Sequence, residues 1–462
     1  MSLEFGNSSG LQPLEGLTSL QKLQLVSLGL GDRNGLQPLE GLTRLQELLL
    51  DSLVWRDPDF LQPLQGLTRL KDLRLVSLGA RTIEASMLSG LNQLTLLKVI
   101  IEEGARRMKC TVQPDILADK TQLQHLELIE CNICGDTNGV TRLLLYLQPM
   151  QQLTRLNLSG SLQPEDYTIY PRLEPITPPA TAYSALTSSS KLQHLDISYC
   201  EVPEGVWQLV FPAGRQLPAL QVLDLVWLMH PSTHAAAPEC SRLVSCCPGL
   251  QSLNMKGLQY ATEVLAPLSG LTDLQELCLN HASRVSEPPT PNMFEVVYQL
   301  TGLRRLDLRN DDGNERLLLR LTQLKQLTEL EYCGVNPGVH IFYAVSAFLT
   351  TPHARFDAAF GHFRIHVLCS GDQTLQTTML HEISGTTPSL ARVFHGLVWH
   401  DAASKAERSL VIAIKQLLPP LLAFSVVQRA PEDEPVWRQV LRRLCNSCDP
   451  SMALQAAAAL AE

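Results

Sequence analysis

The sequence predicts an α/β solenoid, with short parallel strands lining one face and turns or short helices lining the other. Two observations carry that reading. A leucine kernel, L-x-x-L-x-x-L-x-L, recurs through most of the chain, and the first leucine of its closing L-x-L falls at Leu23, Leu48, Leu73, Leu97, Leu126, Leu156, Leu195, Leu223, Leu253, Leu277, Leu306 and Leu330. The intervals are 25, 25, 24, 29, 30, 39, 28, 30, 24, 29 and 24 residues, a period that marks stacked structural repeats. In addition, one phrase is nearly copied three times from Leu11, Leu36 and Leu61, as LQPLEGLTSLQKLQLVSL, LQPLEGLTRLQELLLDSL and LQPLQGLTRLKDLRLVSL. A catalytic site is needed once, so the copies are structural bricks.

Each element of the unit has a physical reason. L-x-L alternates, which is a short strand with both leucines on one face. The stretch before it repeats leucine every third residue, at Leu36, Leu39 and Leu42, as a tight helical turn does. Pro38 falls early in that turn, where a missing N–H costs little. One unit cannot bury its own leucines, whereas stacked neighbours bury a continuous core.

The kernel divides the chain into three parts. Residues 1–10 read as a minimal or truncated N-terminal cap, with Leu3 and Phe5 as a remnant strand. Residues 11–335 form the solenoid of about twelve units, interrupted by a proline-rich excursion loop at 161–190 and a second insertion at 281–293. Residues 336–462 lose the kernel and read as degenerate repeats or a small α/β region ending in a helical cap. Their candidate strands are 363–369, 391–399 and 421–428.

Composition limits the function classes. The chain has 462 residues, 45% of them hydrophobic but only 5% aromatic, so leucine supplies most of the core. A formal net charge of -9 argues against a phosphate-binding surface, since nucleic-acid binders carry a basic stripe. No run of 18 apolar residues suggests a membrane span. The opening MSLEFGNSSG has neither a basic nor an apolar targeting segment. Twelve cysteines without a secretory signal then read as reduced thiols in a cytoplasmic setting.

The kernel resembles the leucine-rich-repeat family over about residues 11–335. The resemblance implies a curved horseshoe with a parallel β-sheet on its concave side. Family members place Asn or Cys three residues after the second strand leucine. Here Cys131 and Cys200 match, while most units carry Leu, Ala or Ser, so an irregular solenoid is expected. SCCPGLQSLNM is similar to the cysteine-containing subtype of F-box proteins, and the overall style is similar to plant and green-algal members. That similarity implies a protein-binding scaffold or adaptor, in settings such as ubiquitin-ligase substrate recognition or a cytoskeletal or axonemal scaffold. An F-box-like helical segment would be needed for the ligase setting, and none precedes Leu11.

Chemical motifs are sparse. G-x-x-x-x-G-K-[ST], G-x-G-x-x-G and G-x-S-x-G do not occur. Cys131/Cys134 and Cys445/Cys448 have zinc-like spacing, yet the pairs lie more than 300 residues apart. His366 falls on a predicted strand and His362 just before it, and strand spacing of four places them roughly 13 Å apart. The expectation is therefore a non-enzyme with no cofactor and no metal, the alternative being an enzyme with its site in residues 340–430.

What remains is the concave face. Between the paired leucines stand Gln24, Leu49, Arg74, Lys98, Glu127, Asn157, Asp196, Asp224, Asn254, Cys278, Asp307 and Glu331. Five consecutive units, Glu127, Asn157, Asp196, Asp224 and Asn254, show only acid or amide, and at about 4.8 Å per strand they form a stripe of roughly 19 Å. The stripe is the expected binding site for a protein partner with a basic segment, and neither nucleic acid nor membrane is expected as a partner. Beside it run His125, Arg155 and His194, then Ser159, Ser198, Val226 and Lys256.

Overall fold

The computed structural model describes residues 2–4, 8–26, 35–52, 60–77, 82–101, 110–133, 138–162, 178–228, 239–258, 262–279, 296–308, 324, 326–334, 355–360 and 363–368. The chain divides into two compact units, Met1–Gln259 and Tyr260–Glu462.

The first unit carries a parallel sheet of strands β1 (Ser2–Glu4), β2 (Lys22–Val26), β3 (Glu47–Asp51), β4 (Asp72–Val76), β6 (Leu96–Ile100), β8 (His125–Ile129), β10 (Arg155–Asn157), β11 (His194–Asp196), β12 (Val222–Asp224) and β13 (Ser252–Asn254), in that order. Three two-residue strands, β5 (Thr82–Ile83), β7 (Thr111–Val112) and β9 (Asn132–Ile133), make a second small parallel sheet. The expected strand in SLEF is β1, which sets Leu3 beside Leu25.

Register follows the leucines without exception. Leu23 pairs with Leu48, Leu48 with Leu73, Leu73 with Leu97, and Leu97 with Leu126. Leu156 pairs with both Leu126 and Leu195, which is followed by Leu223 and Leu253. Each of these leucines is at most 2% exposed. A one-residue slip would turn every one of them out of the core, so the pattern locks the register.

Backbone bonds reinforce the lock at both ends of each strand. The carbonyl two residues before the strand leucine accepts two N–H groups from the next repeat. Gln21 O takes those of Gln46 and Glu47, Thr154 O those of Gln193 and His194, and Gln221 O those of Gln251 and Ser252. Four residues after the strand leucine the backbone turns left-handed, at Ser52, Ser77, Glu130, Gly160, Tyr199, Trp227 and Gly257. The N–H groups of Ser52, Ser77, Glu130, Gly160, Tyr199 and Trp227 each reach a carbonyl of the following repeat. Five of the seven turn residues have side chains that disfavour this conformation, and the repeating inter-repeat bond offsets that cost. The β-branched Ile101 occupies the same place without a left-handed turn, although its N–H still reaches Ile129 O.

On the opposite side, the expected tight turns are present as 3₁₀ segments at Gln37–Leu39 and Gln62–Gly66, each with proline in its first positions. Leu36, Leu39 and Leu42 are buried. Four α-helices take the corresponding place in other repeats or lie beside it: α1 (Ala85–Leu88), α2 (Gly139–Leu147), α3 (Trp207–Val210) and α4 (Cys240–Cys246). Within 161–190, the residues after Pro178 and Pro179 fold as a 3₁₀ segment, Ala180–Thr187, that buries Tyr183 and Leu186. Residues 163–177 of that excursion and the whole insertion at 281–293 lie outside the described residues.

The hydrogen bonds normally supplied by a ladder of asparagines are supplied here by sulfur and hydroxyl. Cys131 Sγ lies 3.7 Å from Val99 O, Ser161 Oγ donates to Leu128 O at 2.8 Å, and Cys200 Sγ lies 3.1 Å from Leu158 O. These residues of three successive repeats each reach back to the closing position of the L-x-L pair in the preceding repeat. Ser161 also accepts the Cys131 N–H at 2.9 Å. Serine, which the sequence pattern counts as a mismatch, therefore performs the ladder role.

The second unit carries β14 (Glu276–Cys278), β15 (Arg305–Leu308), β16 (Glu329–Gly334), β17 (Arg355–Phe360) and β18 (Phe363–Leu368). β14 to β17 pair in parallel, with Leu277 beside Leu306 and Leu306 beside Leu330. The strand expected at 363–369 is β18, but it pairs antiparallel with β17, a hairpin where the repeat would have continued in parallel. The leucine kernel does not anticipate β17 at all. The candidate strands at 391–399 and 421–428 and the helical cap lie outside the described residues.

Two measurements check this account. Leu195→Ala should cost about 2 to 5 kcal/mol in urea titration, as truncation of a buried leucine does, while Gln24→Ala on the concave face should cost no more than about 0.5 kcal/mol. Equal costs would reverse the facing of the strands. The buried thiols make a second check. Burial pushes Cys110, Cys200, Cys240 and Cys247 up to about 12, from an ordinary 9.0. A raised folded value means the contribution is whole below pH 9 and is lost as unfolded thiols ionise above it. Stability should therefore fall as pH rises from about 9 towards 12, and native alkylation at pH 8.5 should leave these four thiols unmodified.

Candidate interaction surface

The five stripe residues share one row. Glu127, Asn157, Asp196, Asp224 and Asn254 are successive ladder partners across β8, β10, β11, β12 and β13. Alignment does not make them equivalent, because each carboxylate or amide is already used differently.

Glu127 is neutralised within the sheet. Lys98 Nζ approaches it at 2.7 Å from β6 and Arg155 Nε at 2.7 Å from β10. Burial opposes its charge, but the hydrogen bond and attraction of Lys98, with Arg155 and His194, outweigh that and hold its carboxyl below the ordinary range. Asn157, Asp196 and Asn254 turn one side-chain oxygen onto their own backbone. They accept the N–H of Ser159 at 2.9 Å, of Ser198 at 2.9 Å and of Lys256 at 3.3 Å. Such local bonds compete with the ladder and end a strand. In the first unit, the strands carrying Asn or Asp here are three residues long, while those of Gln24, Leu49, Arg74, Lys98 and Glu127 run five. In β12 the equivalent N–H, that of Val226, goes instead to Ser198 Oγ at 3.1 Å.

Two carboxylates of the row stand on neighbouring strands. Asp196 and Asp224 are direct ladder partners, both half-buried. Asp224 Oδ2 lies 3.9 Å from His194 Nε2. Burial lowers the pKa of His194, and the nearby Arg155 charge lowers it further against the pull of Asp196 and Glu127, so the imidazole is neutral at pH 7. Arg155 on one side and Lys256 on the other bound this acidic patch.

Two aromatic side chains stand beside it, in positions the leucine columns did not single out. Tyr199 and Trp227 occupy the left-handed turns after β11 and β12 and are 42% and 41% exposed. The indole lies over Gly257 of the next repeat, where an added Cβ would come within 2.5 Å of the ring. Gly257, itself left-handed at φ +77°, thus gives Trp227 its seat. The signal was present in the sequence, as the fourth residue after each strand leucine. It was unreadable without knowing that this position turns outward.

Among the described residues, no helix is long and apolar enough to cross a membrane. The region of the alternative enzyme site, 340–430, lies almost entirely outside them.

No protein-family model matches the sequence, and no curated protein does. Solved structures align with parts of it. An internalin from Listeria monocytogenes aligns over 75% of this chain and 81% of its own at 16% identity and a TM-score of 0.40. TLR13, solved with ssRNA13, aligns over 77% of this chain and 50% of its own at 17% identity and a TM-score of 0.41. The plant peptide hormone receptor RGFR1, solved with RGF2, covers 77% and 62% at 14% identity and a TM-score of 0.39. The chain has a leucine-rich-repeat fold. That statement stands on its parallel register and buried leucine columns.

Proposed function

We propose that this chain is a non-enzymatic protein-interaction scaffold whose concave sheet binds a partner through β11 and β12. The observation that carries the reading is the pairing of exposed aromatics with two carboxylates on neighbouring strands. Tyr199 and Trp227 follow the two strands on which Asp196 and Asp224 lie side by side, in a sheet that buries the first leucine of each L-x-L pair. Tyr and Trp dominate interface energetics because they bury large area at low entropic cost. Carboxylates beside them suit a lysine or arginine, which gains charge-assisted bonds and a ring face together.

This narrows the five-residue stripe. Glu127 is already neutralised by two cations, and Asn157 and Asn254 serve their own turns, so the basic side chain belongs at Asp196 and Asp224. The patch is two strands wide and accommodates one or two cations of an extended segment. A protein partner is favoured over nucleic acid, since this surface is acidic where phosphate would need base. Substrate recognition within a ubiquitin ligase and scaffolding in cytoplasm, cytoskeleton or axoneme remain settings for such a surface, and nothing in its geometry selects one.

Two double variants test the reading on a partner captured from native extract. Asp196→Asn with Asp224→Asn keeps shape and the Ser198 acceptor, so folding should survive. Affinity should fall at least tenfold, with a shallower salt dependence, because screened charges steer association. Tyr199→Ala with Trp227→Ala should weaken binding tenfold or more without altering the salt slope. Affinity unchanged in both would move the partner surface elsewhere.

A further inference from the structure

We propose that His194, Asp196 and Asp224 form a binding site for one first-row divalent cation. This inference does not rest on the interaction reading. It begins with an unsatisfied atom: His194 Nε2 is buried and has no hydrogen-bond partner, although a buried imidazole nitrogen ordinarily finds one. The nearest acid, Asp224 Oδ2, lies 3.9 Å away, beyond hydrogen-bond reach. Two donors on a single ion at about 2.0 to 2.2 Å stand about 3 to 4.4 Å apart, depending on angle, and this separation falls in that span.

The third donor comes from the same strand. His194 and Asp196 are two apart on β11 and so share the concave face, and Asp224 is the ladder partner of Asp196 on β12. One ligand atom from each of the three lies within 4.8 Å of the others. Parallel pairing holds both strands in fixed register, so only side-chain torsions need to adjust. The Ser198 N–H on Asp196 Oδ1 orients that carboxylate and leaves its other oxygen available, as outer hydrogen bonds do around metal ligands.

Electrostatics points the same way. Asp196 and Asp224 set two carboxylates directly opposite each other on neighbouring strands, where one cation can meet both. A divalent cation held there would also give the buried Nε2 a partner. Neutral imidazole is the ligating form of histidine. One nitrogen and two carboxylates suit borderline cations such as Co²⁺ or Zn²⁺ and, through the two carboxylates, the harder Mn²⁺, but not Ca²⁺, which takes six to eight oxygens. The three residues are half-buried, so further coordination positions face solvent. A bound ion would also exclude a basic side chain from the same carboxylates, making the two occupants mutually exclusive.

Mn²⁺ is the probe of choice, because soft thiolates do not compete for it. The chelator-stripped full-length chain is titrated with Mn²⁺ while free ion is followed by electron paramagnetic resonance. One saturable equivalent per chain is expected. His194→Ala and Asp224→Asn should each weaken it at least tenfold, with far-ultraviolet circular dichroism unchanged, and His125→Ala should leave it as it was. Asp224→Asn is isosteric and keeps the test decisive should His194→Ala fail to fold. No saturable binding overturns the proposal, as does binding that persists at full strength in the folded variants. Neither result bears on partner binding, which the Tyr199 and Trp227 variant reads separately.

Discussion

Everything in this structure depends on one constraint: a repeat cannot bury its own leucines and must hand them to its neighbours in register. Leu126, Leu156, Leu195, Leu223 and Leu253 each sit beside their counterpart in the next strand. Burying one leucine side chain contributes about 1.5 to 3 kcal/mol, and a slip by one residue would forfeit all of them at once. The backbone then follows the leucines. The double acceptor before each strand and the left-handed turn after it recur because the chain must return to the same place in every repeat.

That rigidity is what makes the concave face usable. Side chains between the leucines are excused from core packing, so their chemistry is free to vary from strand to strand. The chain uses this freedom in three ways. From Lys22 to Arg155, neighbouring strands exchange ion pairs, as in Lys22 with Glu47 and Lys98 with Glu127. At Asn157, Asp196 and Asn254 the side chain turns back onto its own backbone and the strand is short. At β11 and β12 the pattern leaves two carboxylates side by side with one imidazole, flanked by exposed rings. A surface of uniform composition would have no such focus.

The same freedom explains how the ladder tolerates Cys131, Ser161 and Cys200 in succession. Its requirement is a buried donor of small volume aimed at a carbonyl, and a thiol or hydroxyl meets it as well as an amide. Where Leu228 and Leu258 occupy that position, both are buried and apolar packing replaces the bond.

The sequence alone determined the strands of the leucine kernel, their parallel order and the tight turns, because those follow from the periods of leucine: two along a strand, three along a turn, and about 28 between units. It also placed Glu127, Asn157, Asp196, Asp224 and Asn254 in one row, since register follows the leucines. The tertiary structure alone decided which of these side chains are spent. That depends on neighbours about 30 residues away: Glu127 meets Lys98 and Arg155 only through strand pairing, and His194 faces Asp224 only across β11 and β12. It also decided that Tyr199 and Trp227 stand outward, because a left-handed turn reverses the direction that alternation along the strand would assign. Spacing along a chain records which residues share a face. Only the stacking of repeats brings one face's charges close enough to cancel, repel or hold an ion.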